Sequence, residues 1–408
     1  MARLAAKFPG VTLNDSRIES FCVTTVWNVF GYNRIRVETK DPSRIGPHNV
    51  LFRQSFRFLF ALTLVTAWLE CVRESHAALM ISFTGSTGNI SADAGFQRAA
   101  DFIQSKFSDN VNVSIQRGFA SLGAGILGQA GSATQQFTYA NFRTAVNDDV
   151  LSSSDVIYAS SLPAGSFSVY TNRTTNNGNS AVPYLDTTGP NTTNVELTTA
   201  NAKALGLSSF VGPDAQITFS SNFTWDFDDR DGITAGSQDF VGVAIHELMH
   251  AMGFVSGVDD LDFGGGSSPD DNYRVAALDF TRHSAASFAA GATIDFTADS
   301  RAKYFSLNGG ITNLTPAVAG GFATGVNFGD GRQASHWKDN LGWGIMDPTA
   351  LPSGQLNVVT ALDLQALDVI GWNLIPVPEP TSLFLVCCPC AIAGVYRRRS
   401  TSIERIGR

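Results

Sequence analysis

The chain has 408 residues, of which 44% are hydrophobic and 16% are charged, a composition typical of a globular protein with one or two domains. Its formal net charge of −8 at pH 7 argues against a nucleic-acid partner, because such partners require a basic surface. All five cysteines lie outside residues 79–375, so this stretch can form no disulfide and depends on its core and on any bound metal for stability.

Residues 51–78 have the order of a secretory signal peptide. Arg53 and Arg57 precede the apolar run "FLFALTLVTAWL", and small residues follow it, with a cleavage region near Ala77. Because this signal begins late, we interpret residues 1–50, which show no clear periodicity or motif, as a doubtful N-terminal extension. The translation start is then expected close to the end of that extension. The alternative is an uncleaved signal anchor with a short cytoplasmic tail.

The first half of residues 79–375 alternates between strand and helix patterns. The stretch "LMISFTG" alternates apolar and polar residues, "ADAGFQRAADFIQSKFSD" repeats apolar residues at helical spacing, and "NVNVSIQ" alternates again. Strand, helix and strand in this order predict a parallel or mixed sheet backed by helices. Further elements are predicted as helices at "YANFRTAVNDDV" and "LTTANAKALG" and as a strand at Ala215 to Asn222.

An acidic segment, "DFDDRDG", occupies positions 226–232. If Gly232 took the glycine position of an EF-hand, the first ligand would fall on Phe227 and the last on Gln238, so this segment is not an EF-hand. The composition predicts a solvated acidic turn, and an irregular calcium site is the alternative.

The segment "FVGVAIHELMHAMG" predicts a buried helix, with Ser237 or Asp239 as its N-cap, because apolar side chains cover nearly all of its faces. A buried ionised glutamate or an unpaired imidazole costs several kcal/mol unless something compensates it. One metal ion would compensate His246, Glu247 and His250 together. The alternative is a pair of core histidines that are satisfied by backbone partners.

The spacing of these three residues matches the His-Glu-x-x-His motif of zinc hydrolases. His246 and His250 are one helical turn apart, so both imidazoles can reach one zinc ion at about 2.0–2.1 Å. Glu247 is rotated by about 100° from His246, so it can contact a zinc-bound water without being a ligand. It is therefore the candidate catalytic base, and Gly253 lets the chain turn sharply away from the helix.

A catalytic zinc site requires three protein ligands and an open position for water. A continuous His-Glu-x-x-His-x-x-Gly-x-x-His pattern would put the third histidine at Ser256. The third ligand must therefore come from elsewhere, and the candidates are His336, His283 and the aspartates Asp259 and Asp260.

The segment "ASHWKDNLGWGIMDP" places His336 between Ser335 and Trp337, ten residues before Met346. Together with the helix motif, which continues into Gly-Phe, this segment resembles the leishmanolysin-type metzincins. In that family an insertion precedes a Ser-His-Trp segment, and a turn with Met-x-Pro follows. The resemblance implies that His336, 86 residues after His250, is the third zinc ligand, and that Met346 forms the methionine turn beneath the metal.

The resemblance covers residues 240–253 and 334–372, which end in a predicted helix, "TALDLQALDVIGW". It implies an α+β, metzincin-like zincin domain over residues 79–375, with a twisted mixed sheet, an active-site helix and a mainly irregular C-terminal subdomain. The implied activity is that of an exported zinc-dependent endopeptidase, in which Glu247 assists the attack of water on a peptide or protein substrate. Two alternatives stay open: a non-catalytic cell-surface or extracellular-matrix protein with a structural metal site, and a zinc hydrolase with a non-peptide substrate.

Residues 376–400 contain Pro378-Glu379-Pro380, an apolar stretch over 383–396 and three arginines at 397–399. This order resembles the bacterial PEP-CTERM sorting signal. The resemblance implies export, processing by an exosortase-like enzyme, and delivery to the cell surface or extracellular matrix after transient membrane anchoring. The arginines would hold residues 401–408 on the cytoplasmic side. A plain tail anchor is the alternative.

Overall fold

The computed structural model describes residues 78–316 and 318–376. The chain divides into two units between Ser75 and His76, and every described residue belongs to the second unit. The predicted N-terminal extension, signal peptide, sorting segment and cytoplasmic tail lie outside the described residues, except for Ala78 and Pro376. Within the described part of the chain, every helix is too short or too polar to cross a bilayer.

The described residues form a mixed α and β fold with open sheets, as the α+β prediction requires. Its eight helices are α1 (Ile90–Gln104), α2 (Tyr139–Asp148), α3 (Ser153–Ser161), α4 (Thr199–Ala204), α5 (Phe240–Ala251), α6 (Val258–Gly264), α7 (Ala285–Ala289) and α8 (Ala361–Val369). Its thirteen strands are β1 (Met80–Thr84), β2 (Asn112–Ala120), β3 (Gly128–Ser132), β4 (Thr134–Thr138), β5 (Val169–Thr171), β6 (Tyr184–Asp186), β7 (Asn194–Thr198), β8 (Ala215–Ser220), β9 (Trp225–Asp226), β10 (Gln238–Asp239), β11 (Arg282–His283), β12 (Ile294–Phe296) and β13 (Tyr304–Phe305).

The largest sheet has the strand order β1-β2-β8-β3. The pairs β1–β2 and β2–β8 are parallel, whereas β3 runs antiparallel to β8, so the predicted mixed sheet is confirmed. The helices and strands predicted by hydrophobic spacing are all present, with their ends shifted by a few residues. Strand β3 was not predicted, and it forms one edge of this sheet.

An aromatic cluster fixes the start of helix α5 against the main sheet and against helix α1. The ring of Phe240, the first residue of α5, lies 4.3 Å from that of Phe219 on β8 and 5.2 Å from that of Phe96 on α1. Gly95 leaves room for this ring, since a Cβ at that position would approach it to 2.5 Å. Burying a side chain such as Phe240 contributes about 1.5–3 kcal/mol, so the start of α5 is firmly anchored.

Between α6 and α8 the chain is mainly irregular, and its described elements are at most five residues long. Buried charges help to hold this part together. The side chain of Lys303 is fully buried and donates a 2.8 Å hydrogen bond to Asp299, and Arg282 is also fully buried. Such groups are tolerated inside a protein only when they are paired or hydrogen-bonded, so these contacts restrict the conformation of the segment.

Three carboxyl groups approach one another where α2, α8 and the segment after α1 meet. The side-chain amide of Asn373 donates to Asp149 at 3.0 Å and to Asp109 at 3.3 Å, while the hydroxyl of Ser152 donates to Asp368 at 2.7 Å. Burial raises the pKa of Asp149 to about 7 and the pKa values of Asp109 and Asp368 to about 6. The charged forms of these groups therefore destabilise the folded protein at neutral pH.

We predict that Asp149→Asn stabilises the protein at pH 8 and has no effect near pH 4. The folded protein holds the Asp149 proton more tightly than the unfolded chain, so the penalty of the charge is complete above about pH 7 and fades as the pH falls towards 4. A gain of about 1 kcal/mol would raise the Tm by about 2–4 °C. Thermal unfolding at both pH values measures this, with exposed Asp148→Asn as the matched control. Equal stabilisation at both pH values would contradict the prediction.

Candidate metal centre

Helix α5 begins at a side-chain cap and ends at a glycine turn. The carboxylate of Asp239 accepts a 2.8 Å hydrogen bond from the amide of Gly242, which identifies Asp239 rather than Ser237 as the N-cap. Gly253 has a φ of +114°, a conformation that favours glycine, and the amide of Phe254 donates to the carbonyl of Met249 at 3.0 Å. The chain therefore turns back immediately after the second histidine of the helix.

Three histidines meet at the side of α5. The Nε2 atom of His250 lies 3.1 Å from Nε2 of His246 and 3.2 Å from Nε2 of His336. Among the described residues, these three form the one group of histidine, cysteine or acidic side chains whose ligand atoms all lie within 4.8 Å of one another. The fold thus brings His336, the preferred third ligand from the sequence, to the pair on the helix.

The opposite nitrogen of each ring contacts a backbone carbonyl. Nδ1 of His246 is 2.7 Å from the carbonyl oxygen of Ile345, Nδ1 of His250 is 2.7 Å from that of Phe254, and Nδ1 of His336 is 3.3 Å from that of Gln333. A carbonyl can only accept a hydrogen bond, so each Nδ1 carries the proton. In neutral rings each Nε2 then presents a lone pair, and the three lone pairs converge.

Burial keeps these rings neutral. Desolvation lowers the pKa of His246, lowers that of His250 to about 3, and holds that of His336 well below its usual value. Three converging lone pairs repel one another unless a cation lies between them. A tetrahedral ion with bonds of about 2.0–2.1 Å would separate its nitrogen ligands by roughly 3.3 Å, close to the observed spacing. The residues therefore fit a metal ion, and imidazole ligands suit zinc, copper, iron or nickel.

Glu247 lies beside the three histidines without joining their group. Its side chain is buried, and desolvation raises the pKa of its carboxyl group to about 8. Strand β3 passes close to it, since a Cβ at Gly128 would lie 3.0 Å from Oε1 of Glu247. Any bound metal ion would favour the charged form of this carboxylate, because an opposite charge lowers a carboxyl pKa.

The three histidines and Glu247 line a cleft of about 1300 Å³. Strand β3 forms one wall of this cleft, and residues 345–352 contribute to another. Pairing along β3 determines which backbone groups face the opening. The amide of Ser220 donates to the carbonyl of Leu127, and the amide of Ala133 donates to the carbonyl of Asp214. In this register the hydrogen bonds between β3 and β8 fall on odd-numbered residues of β3. The amides and carbonyls of Gly128, Ala130 and Ser132 therefore point away from β8.

The turn that contains Met346 is held by a carboxylate that was not predicted from the sequence. Asp363, which is fully buried, accepts hydrogen bonds from the amides of Ile345 and Met346 at 2.9 and 3.3 Å and from the indole of Trp337 at 2.8 Å. Met346 is itself fully buried. The sequence pattern Thr360-x-x-Asp363 is that of a capping box at the start of α8, and it could have identified Asp363 as a structurally important residue.

The alternative third ligands lie outside the histidine group. Asp259 accepts hydrogen bonds from the amides of Ala334 and Ser335, and Asp260 lines the cleft as an exposed residue. His283 is buried on β11, where its ring contacts the carbonyl of Phe280 at 3.2 Å.

Three of the four carboxylates in the acidic segment 226–232 have donors within the chain. Asp228 pairs with Arg230, and Asp229 pairs with Arg98 on α1. Asp226 accepts from the amide of Thr234 at 2.8 Å. These contacts fit a structural acidic turn, and nothing in them points to a calcium ion.

We predict that His336→Ala weakens zinc binding roughly 100-fold or more, because a buried pair of imidazoles is left with an incomplete ligand set. Competition with a chromogenic chelator measures the affinity directly. His283→Gln is the control, since this histidine lies outside the group, and it should change the affinity less than about threefold. Unchanged zinc affinity in His336→Ala would contradict the proposed ligand set.

Comparison with known proteins reveals no relative of this chain: no family model, no curated protein and no solved structure matches it. Its function is therefore inferred from the geometry of the candidate metal centre.

Proposed function

We propose that this protein is a zinc-dependent endopeptidase of the metzincin type. The observation that carries the proposal is the position of Glu247, a buried carboxylate between two converging histidines on α5, at the wall of a cleft. A purely structural zinc site is coordinatively closed and has no use for this carboxylate. Here the three histidines line the cleft and are accessible from it.

His246, His250 and His336 would hold the zinc ion through their Nε2 atoms. When bound, zinc makes water acidic near neutral pH and polarises a carbonyl group. Glu247 takes the proton of the attacking water and passes it to the amine that leaves when the peptide bond breaks. The hydrogen bonds from the three Nδ1 atoms to backbone carbonyls orient the rings for this purpose, while burial keeps the rings neutral.

The free edge of β3 supports a peptide as the substrate. The outward amides and carbonyls of Gly128, Ala130 and Ser132 face the cleft, and among the described residues β3 has no second strand partner. An extended peptide can pair with such an edge through main-chain hydrogen bonds that do not depend on its sequence. The peptide would then run along the cleft wall beside Glu247, with chain extending on both sides, as an endopeptidase requires.

The location of the activity rests on the two ends of the sequence. We propose that residues 51–78 direct export and that residues 376–400 serve as a PEP-CTERM signal for an exosortase-like enzyme. The peptidase would then act at the surface or in the extracellular matrix of a bacterium. A non-catalytic matrix protein that keeps the metal for structure is the second candidate.

We predict that casein is cleaved by the purified protein, that a chelator abolishes cleavage, and that Glu247→Gln lowers kcat by about 10²–10⁴-fold. Glutamine keeps the shape of the side chain but cannot accept the proton, so zinc affinity should be preserved. Initial rates on casein and the zinc affinity of each variant are the measurements.

Equal cleavage by Glu247→Gln would contradict the proposed role of this residue. If neither the wild type nor the variant cleaves casein or gelatin in a chelator-sensitive manner, the peptidase proposal fails. The matrix protein and a hydrolase acting on a non-peptide substrate are then the candidates that remain.

We predict that Ala130→Pro lowers kcat/KM for a peptide about tenfold by removing one outward amide, a loss of about 1–1.5 kcal/mol. The bonds from β3 to β8 are made by its odd-numbered residues, so the sheet keeps its pairing. Ala130→Val retains the amide and is the matched control. Peptide kinetics measure the effect, and equal rates for the two variants would exclude pairing at this position.

A further inference from the structure

We propose that a clamp formed by Ser256, Asp259 and Ser335 positions His336 and thereby determines the metal affinity of the three histidines. The inference rests on the proposed metal centre. The side chains of the clamp bond to the backbone and to one another, and Asp259 lies outside the group of metal-binding side chains. Asp259 is thus a positioning residue.

The carboxylate of Asp259 receives three donors from the two residues that precede His336. Its Oδ1 accepts a 2.6 Å hydrogen bond from the amide of Ala334. Its Oδ2 accepts from the amide of Ser335 at 3.1 Å and also from the hydroxyl of Ser335. Because both oxygens are engaged with backbone and hydroxyl donors, this carboxylate restrains the main chain next to the third histidine.

Ser256 joins the same segment to the end of helix α5. Its amide donates to the hydroxyl oxygen of Ser335 at 2.9 Å, and its own hydroxyl donates to Asp279 at 2.5 Å. Asp279 is buried and also accepts from the amides of Gly257 and Ala276, each at 2.9 Å. The position that holds a histidine in a continuous metzincin motif thus links the helix to the segment that carries His336.

His336 is held less closely at its Nδ1 atom than the other two histidines are, so other contacts must fix its position. Its Nδ1 contact to a carbonyl is 3.3 Å, whereas His246 and His250 each have one of 2.7 Å. His336 also arrives from 86 residues along the chain, so its backbone must be ordered by contacts outside α5. The carbonyl of His336 accepts a 3.0 Å hydrogen bond from the amide of Ala323, a backbone contact separate from those of Asp259.

Asp262 offers a matched control on the same helix. It is buried, and its two oxygens accept hydrogen bonds from the amides of Asn327 and Phe328 at 2.7 and 2.9 Å. Like Asp259, it restrains a loop between His250 and His336 by accepting hydrogen bonds from backbone amides. This loop is not the segment directly before His336. A general loss of folding would affect both aspartates, whereas a loss of positioning would affect Asp259 alone.

The test measures zinc affinity by chelator competition for Asp259→Asn and Asp262→Asn, each in the wild-type background and in the His336→Ala background. An asparagine side chain has one acceptor oxygen, and its NH2 group would face the donors that the other carboxylate oxygen accepts in Asp259. We expect Asp259→Asn to weaken zinc binding about 10–100-fold in the wild type and less than threefold in His336→Ala. Asp262→Asn should leave the affinity within threefold in both backgrounds, although both variants lower the Tm of the metal-free protein.

Two outcomes overturn the clamp: unchanged zinc affinity in Asp259→Asn, or an equal loss in the His336→Ala background, which would make Asp259 a ligand or a general folding residue. If Asp259→Asn does not fold, the zinc affinity of Ser335→Ala is measured in the same two backgrounds. The expected losses of affinity are the same. The readout needs no substrate. A protein that shows this coupling but cleaves no peptide supports the clamp and contradicts the peptidase, whereas a wild type that binds no zinc overturns both.

Discussion

The convergence of three unprotonated imidazole nitrogens at 3.1–3.2 Å is the constraint on which the rest of this structure depends. Nitrogen lone pairs this close to one another repel, so the arrangement is unfavourable unless something compensates it. Backbone carbonyls at the opposite ring nitrogens fix the tautomers, so the repulsion cannot be relieved by moving a proton. A group of this kind could hold a metal ion, which would relieve the repulsion by accepting all three lone pairs.

Two kinds of contact hold the three histidines in place: hydrophobic packing and hydrogen bonds to buried carboxylates. Helix α5 carries two of the three histidines and is fixed by packing, with the ring of Phe240 against those of Phe219 and Phe96. The third histidine lies in a mainly irregular region, where buried carboxylates that accept hydrogen bonds from backbone amides act together with the aromatic packing of Trp337. Asp259 restrains the residues before His336 and Asp363 restrains the turn at Met346. Carboxylates suit this purpose because each oxygen accepts more than one hydrogen bond.

The fold could be predicted where hydrophobic spacing was strong. Helix α1 and strands β2 and β8 follow from repeats of 3.6 or two residues, because each buries one face against the core, and helix α5 follows from apolar side chains on nearly all of its faces. Strand β3 could not be predicted: "GQAGS" has little hydrophobic alternation, and its partner β8 begins more than 80 residues later. The cleft wall that β3 forms could therefore not be predicted from the sequence, although the His-Glu-x-x-His motif beside it could be recognised.

The sequence by itself determined the local part of the site. Helical geometry alone places His246 and His250 on one face with Glu247 beside them, so the spacing of these residues was sufficient. Only the tertiary structure decided which distant residue joins them, because His336, Asp259, Asp260 and His283 were all compatible with the motif. That choice depends on the path of an 86-residue segment, which is set by buried polar contacts such as those of Asp259 and Asp363. Such contacts follow no periodic pattern, so they emerge only when the chain is folded.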